Sequence, residues 1–175
     1  MSKSDPTPVT AFAEEDTFCP WDPLEPDGAG LSVHDFLTTL FSHTSNGLRR
    51  AITVPYADQF GLSVSEWRIL SVLAHAGSLP FPELVKESAA DKGQVSRTLA
   101  ALTQRELTTV EVPPAGRKGM LCHVTEKGRD LYKQVMPVAQ RSQAAMILKL
   151  PPDARRTLYA VLKTLRSECG EMDGS

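Results

Sequence analysis

Apolar residues recur at helical spacing from residue 33 onward. Val33, Phe36, Leu37, Leu40, Phe41, Leu48, Ala51 and Ile52 make one stripe about five turns long. The pattern predicts a first helix that starts near Ser32 and is ended or bent by Pro55. A stripe of that length needs a large partner surface. Upstream, residues 1–31 hold Pro6, Pro8, Pro20, Pro23 and Pro26 among few apolar positions, which predicts a mobile arm that Phe18, Trp21 and Leu24 could dock.

The pattern then shortens. Ser63-Val-Ser-Glu66 has the form of a capping box, and Trp67, Leu70, Leu73 and Ala74 follow as the apolar face of a second helix closed by Gly77. Residues 81–88, with Pro82 in the first turn, predict a short third helix. Asp91 caps a fourth, which reaches about Glu106 with Val95, Leu99 and Leu102 inward. Residues 107–113 and 120–124 alternate as two strands around a basic turn, a β-hairpin. Thr125 caps a fifth helix running to about Leu150, with a kink expected at Pro137, and Pro151-Pro-Asp153 opens a sixth with Ala154, Leu158, Val161, Leu162 and Leu165 on one stripe.

Three short helices followed by a hairpin give the element order of a winged helix-turn-helix, so the expected fold is mainly α with a small β-hairpin wing and a helical dimerisation region. The fourth helix suits the major groove. With Val95, Leu99 and Leu102 inward, Lys92, Gln94, Ser96, Arg97 and Thr98 fall on its outer face or edges. These are side chains that pair with base edges or phosphates. Arg117 and Lys118, between Gly116 and Gly119, give the hairpin a thin basic tip for the DNA backbone or minor groove.

Charge fits a polyanion-binding body, with a solvated acidic tail and ordinary surface charge as the alternative. The net charge of −2 hides a segregation: residues 1–35 carry one lysine and eight acids, whereas the rest has 18 basic against 13 acidic residues. Residues 91–129 hold seven basic residues and four acids. The acidic arm is expected to stay off DNA.

Leu62-Ser-Val-Ser-Glu-Trp-Arg-Ile-Leu70, Asp91-Lys-Gly-Gln-Val-Ser-Arg-Thr-Leu99, and Arg117-Lys118 leading to Val124-Thr-Glu-Lys-Gly128 resemble, in order and spacing, the MarR family of bacterial transcription regulators. The resemblance spans about residues 33–170. It implies a homodimer joined through the first, fifth and sixth helices, binding a pseudo-palindromic double-stranded operator. It also implies repression relieved by a small aromatic or phenolic effector. His43, Arg50, Tyr56, Phe60, Trp67 and Arg68 are the candidate effector residues, where the first helix should meet the second. The wing departs from the family pattern: where an Asp-x-Arg is common, this chain has Gly116 and Lys118 with Arg117 between them.

The expected organisation is therefore an acidic N-terminal arm (1–31), a dimerisation helix (32–60), a winged DNA-binding domain (61–128) and C-terminal dimerisation helices (129–175). No catalytic cluster, metal-ligand spacing or phosphate-binding glycine loop organises the four dispersed histidines or any other group, so neither an enzyme nor a cofactor is expected. Cys19, Cys122 and Cys169 are scattered and odd in number. A redox-sensing regulator acting through Cys19 and a winged-helix protein-interaction module are the alternatives. No signal peptide or membrane span is read, and a cytoplasmic location is expected.

Overall fold

A computed structural model of the chain describes residues 19–112 and 119–172. They fall into two units, 1–45 and 46–175. In the first, Ser32 precedes a single 3₁₀ turn, Val33–Asp35, and extended Phe36 separates it from α1 (Leu37–Leu48). The first helix therefore starts later than its apolar stripe. Trp21 reaches this segment: its indole Nε1 donates to the carbonyl of Asp35 at 2.8 Å. Trp21 and Leu24 stay exposed and Phe18 lies outside the described residues.

Pro55 does not end the helix. The chain widens into a π turn at Arg49–Thr53, and α2 (Val54–Gln59) continues with Pro55 in its first turn. Proline lacks the amide hydrogen and crowds the carbonyl four residues back, and a π turn just ahead of it lets the coil absorb both defects. Likewise α6 (Glu126–Ile147) runs unbroken through Pro137, which is exposed.

The second unit is organised by its caps. Ser63 and Glu66 close a reciprocal capping box at the start of α3 (Val64–Ala76), and Gly77 ends that helix at φ +80°, a left-handed value that favours glycine. Next come α4 (Phe81–Ser88) and α5 (Lys92–Gln104), then strands β2 (Thr108–Glu111) and β3 (Leu121–Val124), α6, and α7 (Pro152–Met172). Leu62, Leu70, Leu73, Leu84, Val95, Leu102 and Cys122 are almost wholly buried where α3, α4, α5 and the sheet meet. Each buried leucine contributes about 1.5–3 kcal/mol.

The sheet corrects the expected two-stranded hairpin, because a third strand, β1 (Ser78–Pro80), pairs antiparallel with β3 to give the order β1-β3-β2. Leu79 lies opposite Cys122, and the amide of Phe81 donates to the carbonyl of Met120 at 2.8 Å. Pro80 is tolerated because the strand is an edge. The sheet anchors the base of the wing. The wing's tip, with Arg117 and Lys118, lies outside the described residues.

Candidate nucleic-acid interface

The geometry of α5 follows from its cap. Asp91 Oδ1 accepts from the backbone amide of Gln94 at 2.8 Å, fixing the first turn. Val95, Leu99 and Leu102 are buried, so Lys92, Gly93, Ser96, Arg97, Ala100 and Gln104 form the open face. Three of the expected DNA-contacting residues, Lys92, Ser96 and Arg97, are on that face. Gln94 and Thr98 turn inward: the Gln94 amide donates to Ser65 Oγ at 2.9 Å, and Thr98 is half-buried beside Ser65, Arg68 and Ser88. A helical wheel alone puts Gln94 on the flank, and only its partner on α3 decides where it points. Sequence reading missed Gly93, Ala100 and Gln104, although their spacing from Arg97 was a usable signal once the inward row was fixed.

The first turn of α3 grips α5 at both ends. Ser65 takes Gln94 near the start, and Glu66 Oε1 takes Arg105 Nη1, just past the last turn, at 2.8 Å. Burial pushes the Glu66 carboxyl up, but hydrogen bonds from Ser63 and Arg105 and the charge of Arg105 together outweigh it. Its pKa is therefore held below the usual carboxylate range. The ionised form is the one the fold stabilises. That contribution is full above the unfolded pKa of about 4.3 and is lost as pH falls through the lowered folded value. Glu66→Gln should therefore cost about 1 kcal/mol near neutrality, at the low end for a charge-assisted bond because Arg105 is partly exposed. In urea titrations from pH 6 to 3 the gap between wild type and variant should close. A gap that stays constant would exclude Glu66 as the titrating group.

The five candidate effector residues of the second unit do not line one cavity. Tyr56 and Trp67 are core side chains: Trp67 meets Tyr56 edge-on at 5.8 Å and stacks on Tyr132 of α6 at 5.9 Å. Arg68 Nη1 turns to the carbonyl of Ser88 at 3.4 Å. Arg50 is exposed on the π turn, and His43 is exposed in the first unit. Phe60 lines an open groove of about 800 Å³ with Arg105, Leu107, Lys127, Leu131 and Gln134.

Among the described residues no group of three metal-ligating side chains is found. No helix among them is long and apolar enough to cross a membrane. Cys19 and Cys169 are exposed, while Cys122 is buried and its thiol is pushed up by desolvation.

Residues 60–119 match the sequence model of the MarR family. The chain is 24% identical over 127 residues to the uncharacterized HTH-type transcriptional regulator YdgJ of Bacillus subtilis, covering 73% of this chain and 77% of that protein. Its fold resembles a mutant MarR from E. coli complexed with operator DNA (TM-score 0.66, 22% identity, 74% of this chain and 92% of the other). It also resembles NadR in complex with 4-hydroxyphenylacetate (TM-score 0.64, 20% identity, 77% and 95%).

Proposed function

We propose that this chain is a DNA-binding transcriptional regulator of the MarR type, and that it works as a homodimeric repressor that a small aromatic acid or phenol releases from its operator. The observation that carries DNA recognition is the open face of α5, where Lys92, Ser96 and Arg97 stand together around a capped N-terminus. Lys118 and Arg117 on the wing are assigned to phosphate and minor-groove contact. Dimerisation is supported by two apolar rows. Leu37, Leu40, Phe41 and Leu48 on α1 are each at least 40% exposed, as are Leu158, Val161 and Leu162 on α7. Rows of that kind belong at an interface. Residues 32–60 and 129–175 are assigned to it, and residues 61–128 to DNA.

The effector reading is supported by the 4-hydroxyphenylacetate bound to NadR. Of the six residues expected to hold it, Phe60 keeps open space beside it, in a groove lined also by Asp130 and by Arg105 and Lys127, whose charges are already paired with Glu66 and Glu106.

Selection of bound fragments from random duplex DNA tests the function. Enriched sequences should be pseudo-palindromes with half-site centres about 10 bp apart or a multiple of that. Affinity should fall steeply with salt. Arg97→Ala should weaken the preferred site by about 1–3 kcal/mol. Binding that ignores both sequence and salt would leave the protein-interaction module as the better reading. 4-Hydroxyphenylacetate serves as the first compound for release of the selected duplex.

A further inference from the structure

We propose that α5 selects a guanine and a thymine in each half-site, with Arg97 aimed at the guanine across the bare surface of Gly93, and Ala100 packed on the thymine methyl. The inference rests on the DNA-binding reading above and narrows it to two base contacts and one positioning residue.

Gly93, Arg97 and Ala100 follow one another along a single line of the exposed face. Helical side chains lean toward the N-terminus, and Arg97 lies back over Gly93. A Cβ added to Gly93 would stand 3.4 Å from Arg97 Nη1 and 3.3 Å from Asp91 Oδ1. The backbone of Gly93 is ordinary helix and does not require glycine, which weakens a helix relative to alanine. What glycine contributes there is the missing side chain. A Cβ there would only touch the flexible guanidinium end, so its absence matters chiefly by letting the helix end, and Arg97 with it, come close to the duplex.

Among the described residues Arg97 makes no hydrogen bond and no ion pair. The nearby Asp91 carboxylate is already engaged in capping the helix. A guanidinium with its donors free matches the two acceptors, O6 and N7, of guanine. Ala100 puts a lone methyl on an otherwise polar face. A group of that size suits the C5-methyl of thymine and keeps the helix close. Gln94, the residue type that reads adenine bidentately, is held by Ser65 and takes no part. Arg97 and Ala100 are about 4.5 Å apart along the axis. At 3.4 Å per step the two bases therefore fall within about three base pairs.

The test uses the full chain and a duplex enriched from a random pool. Replacing the assigned guanine by 7-deazaguanine should cost wild type about tenfold in affinity and leave Arg97→Ala unchanged. Replacing the thymine by deoxyuridine should cost wild type about fourfold and leave Ala100→Gly unchanged. Gly93→Ala should raise the thermal midpoint yet blunt the response to 7-deazaguanine, a split that a merely structural role would not produce. Gln94→Ala should enrich the same sequence as wild type. A selected site without the G and T, or indifference of wild type to both modified bases, overturns the inference while salt-dependent duplex binding preserves the wider reading. Failure to bind any duplex overturns both.

Discussion

Gly128→Ala is expected to lower the unfolding free energy by about 3 kcal/mol, although alanine is the better helix former by about 1 kcal/mol. Gly128 is buried in the first turn of α6, where its amide donates to the capping hydroxyl of Thr125 at 3.0 Å. The added Cβ would overlap the Leu107 carbonyl oxygen, far inside their contact distance, and would stand 3.0 Å from the Leu107 carbonyl carbon and from Val124 Cγ2. That oxygen cannot simply swing away. It accepts from the amide of Thr125 at 3.1 Å, and the Thr125 hydroxyl donates to the neighbouring carbonyl of Glu106 at 2.7 Å. Accommodating the methyl means breaking this seam or lifting α6 off a core that includes Leu107, Val124 and Val135. Either route costs more than the gain in propensity. Urea denaturation of the two proteins measures the difference, and a change below about 0.5 kcal/mol would show that the seam gives freely.

The same seam joins the turn that follows α5 to the start of α6. Glu106, two residues past the end of α5, sits at φ +61°, an uncommon left-handed value for a side chain other than glycine, and turns the chain sharply into β2. Gly128 allows α6 to rest directly on that turn. At that turn α6 is also tied to the end of α5 by the Lys127–Glu106 ion pair at 2.9 Å, while α3 holds the same end through the Glu66–Arg105 bridge.

Local signals were legible in the sequence. Ser63, Asp91 and Thr125 each cap the helix that follows, because capping depends on residues three apart in the chain. The inward row Val95, Leu99 and Leu102 was legible for the same reason. What could not be read depends on distant partners. Ser78–Pro80 has little strand character of its own and is a strand because β3 offers it a free edge. Gln94 turns inward because Ser65 meets it from α3, and Trp67 is sealed by Tyr132 from α6. Pro55 marks a real backbone problem, but the answer to it, a π turn, is set by packing: Ile52 and Tyr56 on either side are buried.

Replacing Leu158 and Leu162 together by Asp is expected to give a folded monomer whose operator affinity falls at least about a hundredfold. α7 is 21 residues long and none of its described side chains is fully buried. Leu158 and Leu162 are 46% and 40% exposed, and with Ile147, Leu150 and Tyr159 they line an apolar hollow of about 420 Å³. A lone amphipathic helix of this kind is marginal in water, and packing of its apolar face supplies most of its stability. A second copy supplies that packing under the proposed dimer. Two carboxylates in the interface would each need desolvation without a partner, several kcal/mol in all, enough to dissociate a dimer at micromolar concentration. The winged unit should survive, since its core lies in α3, α4, α5 and the sheet. DNA affinity should collapse because a monomer engages one half-site and loses the effective concentration that a linked second half-site provides, a factor of about 10²–10⁴. Sedimentation equilibrium gives the mass, and titration of the selected duplex gives the affinity. A wild-type chain that sediments as a single protomer would remove the dimer from the proposal. A double variant that stays dimeric would move the interface to the α1 row of Leu37, Leu40, Phe41 and Leu48, where the corresponding Leu40→Asp and Phe41→Asp pair becomes the deciding measurement.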